Sequence, residues 1–180
     1  LVLHGSDRHD EFDKLPKAEV VFTTYPLLRR DAARLQQHVF SLVVLDEAQY
    51  IKNHRALTTQ VASSLKSERR LCLTGTPLEN HLGELWSLFH FLMPGFLGSE
   101  EAFRKRFRDP IERDGNDRIR QFLTRRVGPF LLRRRKVEVE KDLPAKTVTT
   151  QGVELSDRQQ EMYESVRLAV QARIQTEIKA

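Results

Sequence analysis

Asp46 and Glu47 stand side by side directly after the apolar run Leu42-Val43-Val44-Leu45. Adjacent carboxylates at the carboxyl end of a strand have a specific use. One can hold a hydrated magnesium ion on a nucleotide, and the other can orient and deprotonate the attacking water. On that reading Asp46 is the metal-side carboxylate and Glu47 the base. The same letters also describe a helix cap followed by an acidic first turn. The next strand separates the two readings, because it runs out into Leu73-Thr74-Gly75-Thr76-Pro77-Leu78-Glu79-Asn80. Two hydroxyls flanking a glycine, halted by proline, make a tight turn able to hydrogen-bond Glu47 or Gln49 and report nucleotide state to a second surface.

Other chemistries find little support. The six histidines, at 4, 9, 38, 54, 81 and 90, form no i, i+4 pair and have no cysteine partner, which argues against a metal centre made by side chains. No Gly-x-Ser-x-Gly elbow exists for a nucleophilic serine. The single Cys72 lies between Leu71 and Leu73, so it reads as a small buried hydrophobe in a reducing compartment.

Positioning the carboxylates requires a sheet. Four short β-branched runs, at residues 1–4, 20–24, 41–45 and 70–74, alternate with helix-length segments, which predicts an α/β fold with a parallel sheet. The third run is apolar at every position of Leu42-Val43-Val44-Leu45 and is expected to be central, covered on both faces. Helices are expected at 27–38, at 55–66 with Asn53 as N-cap and Leu57, Val61 and Leu65 on one face, and at 81–92. The last buries Leu82, Leu85, Trp86, Phe89 and Leu92 before Met93-Pro94-Gly95 stops it, with Trp86 and His90 read as core. After Pro94 the pattern stays helical, with Phe103, Phe107, Ile119, Phe122 and Leu123 as its apolar positions, and is expected to stand off the sheet as an insertion. Residues 146–155 alternate enough for a strand. Ser156 to Gln159 then forms a capping box. The helix it opens, about 23 residues or roughly 35 Å long, carries the stripe Met162, Val166, Val170, Ile174 and Ile178 and should run on toward a missing partner.

The whole chain has 180 residues, 39% of them hydrophobic, enough for one core, and no run of about 18 apolar residues that would cross a membrane. Its net charge of +5 is unevenly spread: residues 101–146 hold 15 Lys+Arg against 8 Asp+Glu, and the flanks are near neutral. A concentrated basic segment suits a neighbouring polyanion.

Five strings carry a resemblance. They are Val21-Phe22-Thr23-Thr24-Tyr25; Leu45-Asp46-Glu47-Ala48-Gln49 with Ile51-Lys52-Asn53; the run from Leu73 to Asn80; Leu85-Trp86-Ser87-Leu88; and Leu132-Arg133-Arg134-Arg135-Lys136 followed by Leu143-Pro144-Ala145-Lys146. Together and in this order the chain resembles Swi/Snf-type helicase-like ATPases. The resemblance implies a partial RecA-like lobe of the P-loop NTPase type, the latter part of the first lobe of a double-stranded DNA translocase that remodels nucleoprotein. It implies that Asp46 and Glu47 are the magnesium and water-activating carboxylates of motif II. Gln49, where many relatives have His, would bridge to motif III at Thr74, Gly75 and Thr76. Thr23, Thr24 and Tyr25 resemble motif Ib along the DNA backbone, and Lys52 and Asn53 would face DNA as well. Residues 1–93 would be the lobe portion, and 94–136 a basic helical protrusion whose Arg104, Arg106 and Arg108 approach phosphates. At the end of the protrusion, Arg133, Arg134 and Lys136 resemble the family signature leading back to the lobe, and residues 137–180 would be a return strand and long helix leading toward the second lobe.

The departure from the family is an absence: no Gly-x-x-x-x-Gly-Lys-Thr phosphate loop occurs. The simplest account is a fragment whose first strands lie upstream of Leu1. ATP and magnesium are then expected for the parent protein and neither for the isolated chain, which is expected to be inactive. Expected partners are duplex DNA through its phosphates, the second lobe of the same chain, and another copy of the fragment through an exposed sheet edge, in an intracellular setting, nucleoid or nuclear, without a membrane. The alternative is a non-catalytic DNA- or protein-interaction module derived from such a lobe.

Overall fold

The computed structural model describes residues 1–76, 80–134, 136–139 and 147–178, within two compact units, Leu1–Leu132 and Arg133–Ala180. In the first unit β1 (Val39–Leu45) and β2 (Lys66–Cys72) pair in parallel, with Val39 opposite Lys66 and Leu45 opposite Cys72. The strands expected at residues 1–4 and 20–24 shrink to one parallel bridge, Val2 to Phe22, flanked by backbone hydrogen bonds of 2.8 Å from Leu3 to Phe22 and from Phe22 to Leu1. The chain turns away at both ends of this bridge. Gly5 takes φ +74°, a conformation glycine adopts without penalty, and Thr24 is already capping a helix.

The strand β1 is apolar but for Ser41, yet it is neither central nor covered twice. Val43 and Leu45 are buried, whereas Leu42 and Val44 are 50% and 45% exposed. The helices α1 (Tyr25–Arg30), α2 (Ala32–Leu35), α3 (Leu57–Ser64) and α4 (Leu82–Leu92) all feed one core, through Leu28, Leu35, Val61, Leu88 and Phe91, on the side of Val43 and Leu45. Among the described residues the other face stays bare and β1 has one neighbour only.

Two expected helices are shorter. The one expected at 27–38 breaks at Asp31, whose buried carboxylate turns inward to a two-pronged pair with Arg8, 2.8 Å from Nε and 3.1 Å from NH2. At α3, Asn53 does not cap: its Oδ1 accepts from Arg55 N at 3.0 Å in a local turn that delays the helix to Leu57. Leu57 is left exposed, while Val61 and Leu65 are buried.

α4 is buried almost all round. Leu88 and Phe91 face the sheet core, while Leu85, Trp86 and Phe89 face a second core with Leu97, Phe103, Phe107, Ile111, Leu123 and Val127. The basic insertion is thus built on α4. His90 is exposed and stacks on Trp86 with ring centroids 4.7 Å apart, so it is a lid on the core and not part of it. The insertion runs through α5 (Glu100–Phe103), a π-helical turn (Arg104–Arg108), α6 (Asp109–Glu112) and α7 (Asp117–Val127). Pro110 explains the wide turn, since its ring clashes with a carbonyl four residues back and it has no N–H for an α-helical bond.

In the second unit α8 (Lys136–Val139) is short and α9 (Asp157–Ile178) has 22 residues, about 33 Å of helix. The strand expected at 146–155 is not formed: residues 147–155 have no regular structure, and Lys146 lies outside the described residues. Strands exist by pairing, and among the described residues of this unit no second strand offers its backbone. At the start of α9 the capping box is half made, with Gln159 Oε1 accepting from Ser156 N at 3.1 Å and from its hydroxyl at 3.0 Å. Met162, Val166, Val170 and Ile174 are exposed along α9.

Candidate active site

The parallel ladder continues past both strand ends. Leu73 N donates to Leu45 O at 2.8 Å and Ala48 N to Leu73 O at 2.9 Å, which brings the Asp46-Glu47 turn against Thr74. Ligands of open α/β sheets bind at this carboxyl edge. Glu47 is in the left-handed region, φ +48° and ψ +52°, the one non-glycine residue with positive φ among the described residues. Such a backbone costs about 1–2 kcal/mol for an L-residue and persists where surrounding contacts fix it.

Those contacts form a line. Asp46 Oδ1 accepts from Glu47 N at 2.9 Å, and Gln49 Nε2 donates to Glu47 Oε2 at 2.8 Å. The Thr74 hydroxyl donates to Gln49 Oε1 at 3.1 Å and accepts from Thr76 N at 3.2 Å. Gln49 thus joins Glu47 to the hydroxyl turn with both ends of its amide. Gly75 is not needed for its φ, and a Cβ there would meet open space. Pro77, Leu78 and Glu79 lie outside the described residues.

Tyr25, at the start of α1, reaches the same turn. Its hydroxyl donates to Asp46 O at 2.8 Å and its ring packs on Tyr50, centroids 5.1 Å apart. Burial, with the negative potential of Cys72, Asp46 and Glu47 behind it, pushes the phenol up to about 12. The Cys72 thiol below the turn is likewise pushed up to about 12 by burial. Thr24 caps α1 by accepting from Leu27 N at 3.5 Å, and Thr23 beside it is exposed.

The expectation for Lys52 is corrected. Its side chain is 8% exposed and pairs with Glu84 Oε2 at 3.3 Å, so it points into the protein and is not offered to a surface partner. Glu84 also accepts from Asn80, at 2.8 Å from Nδ2 and 3.4 Å from N, and Ser87 donates to Ile51 O at 2.6 Å. A buried acid on α4 therefore ties the segment after the carboxylates to the end of the hydroxyl turn. Reading Leu82, Leu85, Trp86 and Phe89 as a stripe passed over Glu84. Its signal was present, as the one charged residue in an otherwise apolar helix. Asn53 is exposed.

In the insertion, Arg104, Arg106 and Arg108 all lie on the π-helical turn. Arg108 Nε pairs with Glu112 at 2.9 Å and Arg104 Nε lies 3.9 Å from Asp109, while Arg106 is exposed with no ion pair among the described residues. Burial alone would raise the Glu112 carboxyl, but the Leu82 N–H and the Arg108 guanidinium outweigh it and hold the group below its ordinary value. Arg133 and Arg134 are exposed at the start of the second unit. The Lys136 side chain, Arg135 and residues 140–146, the Leu143-Pro144-Ala145-Lys146 string included, lie outside what is described.

Magnesium takes oxygen donors and is commonly held by one or two carboxylates together with phosphate oxygens and water. The exposed Asp46 and Glu47 offer that donor set, and no cluster of three or more His, Cys, Asp or Glu among the described residues could hold a metal unaided. The residues fit an ion that arrives with a nucleotide.

A family model described as the SNF2-related domain matches residues 1–180. The chain belongs to the SNF2-related family. It is 40% identical over 158 residues to an uncharacterised ATP-dependent helicase of Mycoplasma genitalium, covering 88% of this chain and 15% of that protein. It is 41% identical over 160 residues to the TATA-binding protein-associated factor mot1 of Schizosaccharomyces pombe, covering 83% of this chain and 8% of that protein. The Sulfolobus solfataricus SWI2/SNF2 ATPase core in complex with dsDNA superposes with a TM-score of 0.71 at 36% identity, over 98% of this chain and 37% of that one. The fold is therefore a portion of the RecA-like lobe of an SNF2 ATPase core. The chain spans less than a sixth of the length of these two relatives. No helix of the described residues is long and apolar enough to cross a membrane.

Proposed function

We propose that this chain supplies the metal-side carboxylate and the water-activating base of an ATP hydrolase driven by duplex DNA, a nucleoprotein-remodelling translocase, with the nucleotide phosphates held by residues outside these 180. The observation that carries the reading is the hydrogen-bonded line from Glu47 through Gln49 to Thr74 and Thr76 at the carboxyl ends of two parallel strands. An acidic helix start would not need it.

Asp46 would hold magnesium through water. Magnesium bound with the nucleotide neutralises charge on the phosphate oxygens. Glu47 Oε2 is already taken by Gln49, so Oε1 accepts the proton of the attacking water. As that proton leaves, the water oxygen bonds to the terminal phosphorus and the broken P–O bond gives its electrons to the departing diphosphate. Gln49 and Thr74 keep the base aimed and link its position to the hydroxyl turn.

DNA is the proposed partner on the side of Thr23, Thr24 and Asn53. A hollow lined by His4, His9, Thr24 and Arg30 sets basic side chains next to Thr24. Arg106, with Arg104 and Arg108 beside it, would meet phosphates from the insertion, and Arg133, Arg134 and Lys136 would lead to the second lobe. Contacts of this kind position a duplex without reading its sequence.

The test is Glu47→Gln in the full-length protein, which keeps side-chain shape and removes the base. Nucleotide affinity should stay within about two-fold, and DNA-stimulated turnover should fall by about 100-fold or more. Turnover near wild type would sink the assignment.

A further inference from the structure

The left-handed backbone of Glu47 is held by anchors on both peptide planes that flank its Cα. In the plane before it, the Glu47 N–H donates to Asp46 Oδ1 and the Asp46 carbonyl accepts from the Tyr25 hydroxyl. In the plane after it, the Ala48 N–H donates to Leu73 O and the Glu47 carbonyl accepts from Tyr50 N. Peptide units are planar, so fixing both planes at both ends fixes φ and ψ of the residue between them. Three of these four anchors come from the turn itself or from the adjoining end of β2. The fourth, Tyr25, comes from another segment altogether, the one that begins with Thr23 and Thr24.

We infer that Tyr25 is a positioning residue that couples the Thr23-Thr24 segment to the base, setting the Glu47 backbone through the Asp46 carbonyl so that hydrolysis follows contact with DNA. The inference rests on the function proposed above. Tyr25 is placed to act in this way because it is the first residue of α1, directly after the Thr24 cap, so a shift of Thr24 moves its ring. The ring leans on Tyr50 at an interplanar angle of 32°, which gives the phenol a support about which to swing.

The experiment uses full-length protein carrying Tyr25→Phe, with Tyr50→Phe as the control that keeps the ring contact. Duplex-stimulated kcat of Tyr25→Phe should fall about five- to fifty-fold, since sub-ångström misplacement of a reacting group is costly. KM for ATP and the duplex Kd should each stay within about two-fold, and Tyr50→Phe should match wild type. A wild-type ratio of stimulated to DNA-free turnover in Tyr25→Phe overturns the inference, as does a duplex Kd that rises in step with the loss of kcat. Hydrogen exchange of residues 46–49 gives a second readout that needs no turnover. Duplex should change it in wild type and not in Tyr25→Phe, and an identical response in both overturns the inference. If Glu47→Gln is inactive while Tyr25→Phe behaves as wild type, only this inference fails. Turnover that survives Glu47→Gln removes the proposed function and this coupling with it.

Discussion

Burial sets the protonation chemistry of two groups beneath the carboxylates, and both consequences can be measured. The Cys72 thiol, held up to about 12, carries far less thiolate at pH 8 than a free cysteine would, and thiolate is the reacting species. Alkylation of the folded chain at pH 8 should be about a thousand-fold slower than after unfolding, given the three-unit displacement; equal rates would show the site open to water. The same displacement affects stability. A thiol raised from 9.0, and a Tyr25 phenol raised from 10.0, are protonated in both states at neutral pH. Above pH 9 the unfolded chain loses these protons first, so the folded state weakens as pH rises from about 9 toward 12. At this scale the sequence was legible where chemistry constrains residue type. Asp46, Glu47, Gln49 and Thr74, picked out by type and spacing, are joined by hydrogen bonds at the ends of two adjacent strands. The direction of Lys52 was not legible. An ammonium beside an exposed turn and one paired inside the protein read alike until its partner 32 residues later, Glu84, is placed.

Elements follow the same division, and α4 shows it best. Its length and stop were plain from the apolar run and from Met93-Pro94-Gly95, but its two-sided burial required knowing that the insertion folds back upon it. The break at Asp31 and the short α3 have a similar cause, since a buried ion pair and a local turn override a helical period that sequence alone would continue. Strands 1–4 and 20–24 were cut to a single bridge by the turn at Gly5 and the helix cap at Thr24, and 147–155 lacks a partner strand among the described residues. The buried pair of Lys52 with Glu84 gives the prediction at this scale. Removing one member of such a pair leaves the other charge in a dry site, and Glu84→Ala should lower the unfolding free energy of the chain by about 3 kcal/mol or more. Urea denaturation measures it. A loss under about 1 kcal/mol, the range of exposed pairs, would mean that the pair contributes little to holding α4 on the site.

Taken whole, the first unit carries the candidate site on a sheet with one apolar face left bare among the described residues, beside a basic helical insertion that shares α4 with the main core. The carboxylates, the amide relay and the hydroxyl turn are present, but no glycine-rich loop that could seat the phosphates occurs in its sequence. Its relatives are far longer than the matched region, which supports placing the rest of the site in flanking sequence. The account stands or falls on that division of labour. Phosphate release should be measured side by side for the 180-residue chain and for the full-length protein, each with ATP, magnesium and duplex DNA. The full-length protein should turn over with duplex present, and the chain should stay at background. Steady release from the chain that disappears with Glu47→Gln would contradict the account, because it would mean that these residues hold the phosphates themselves.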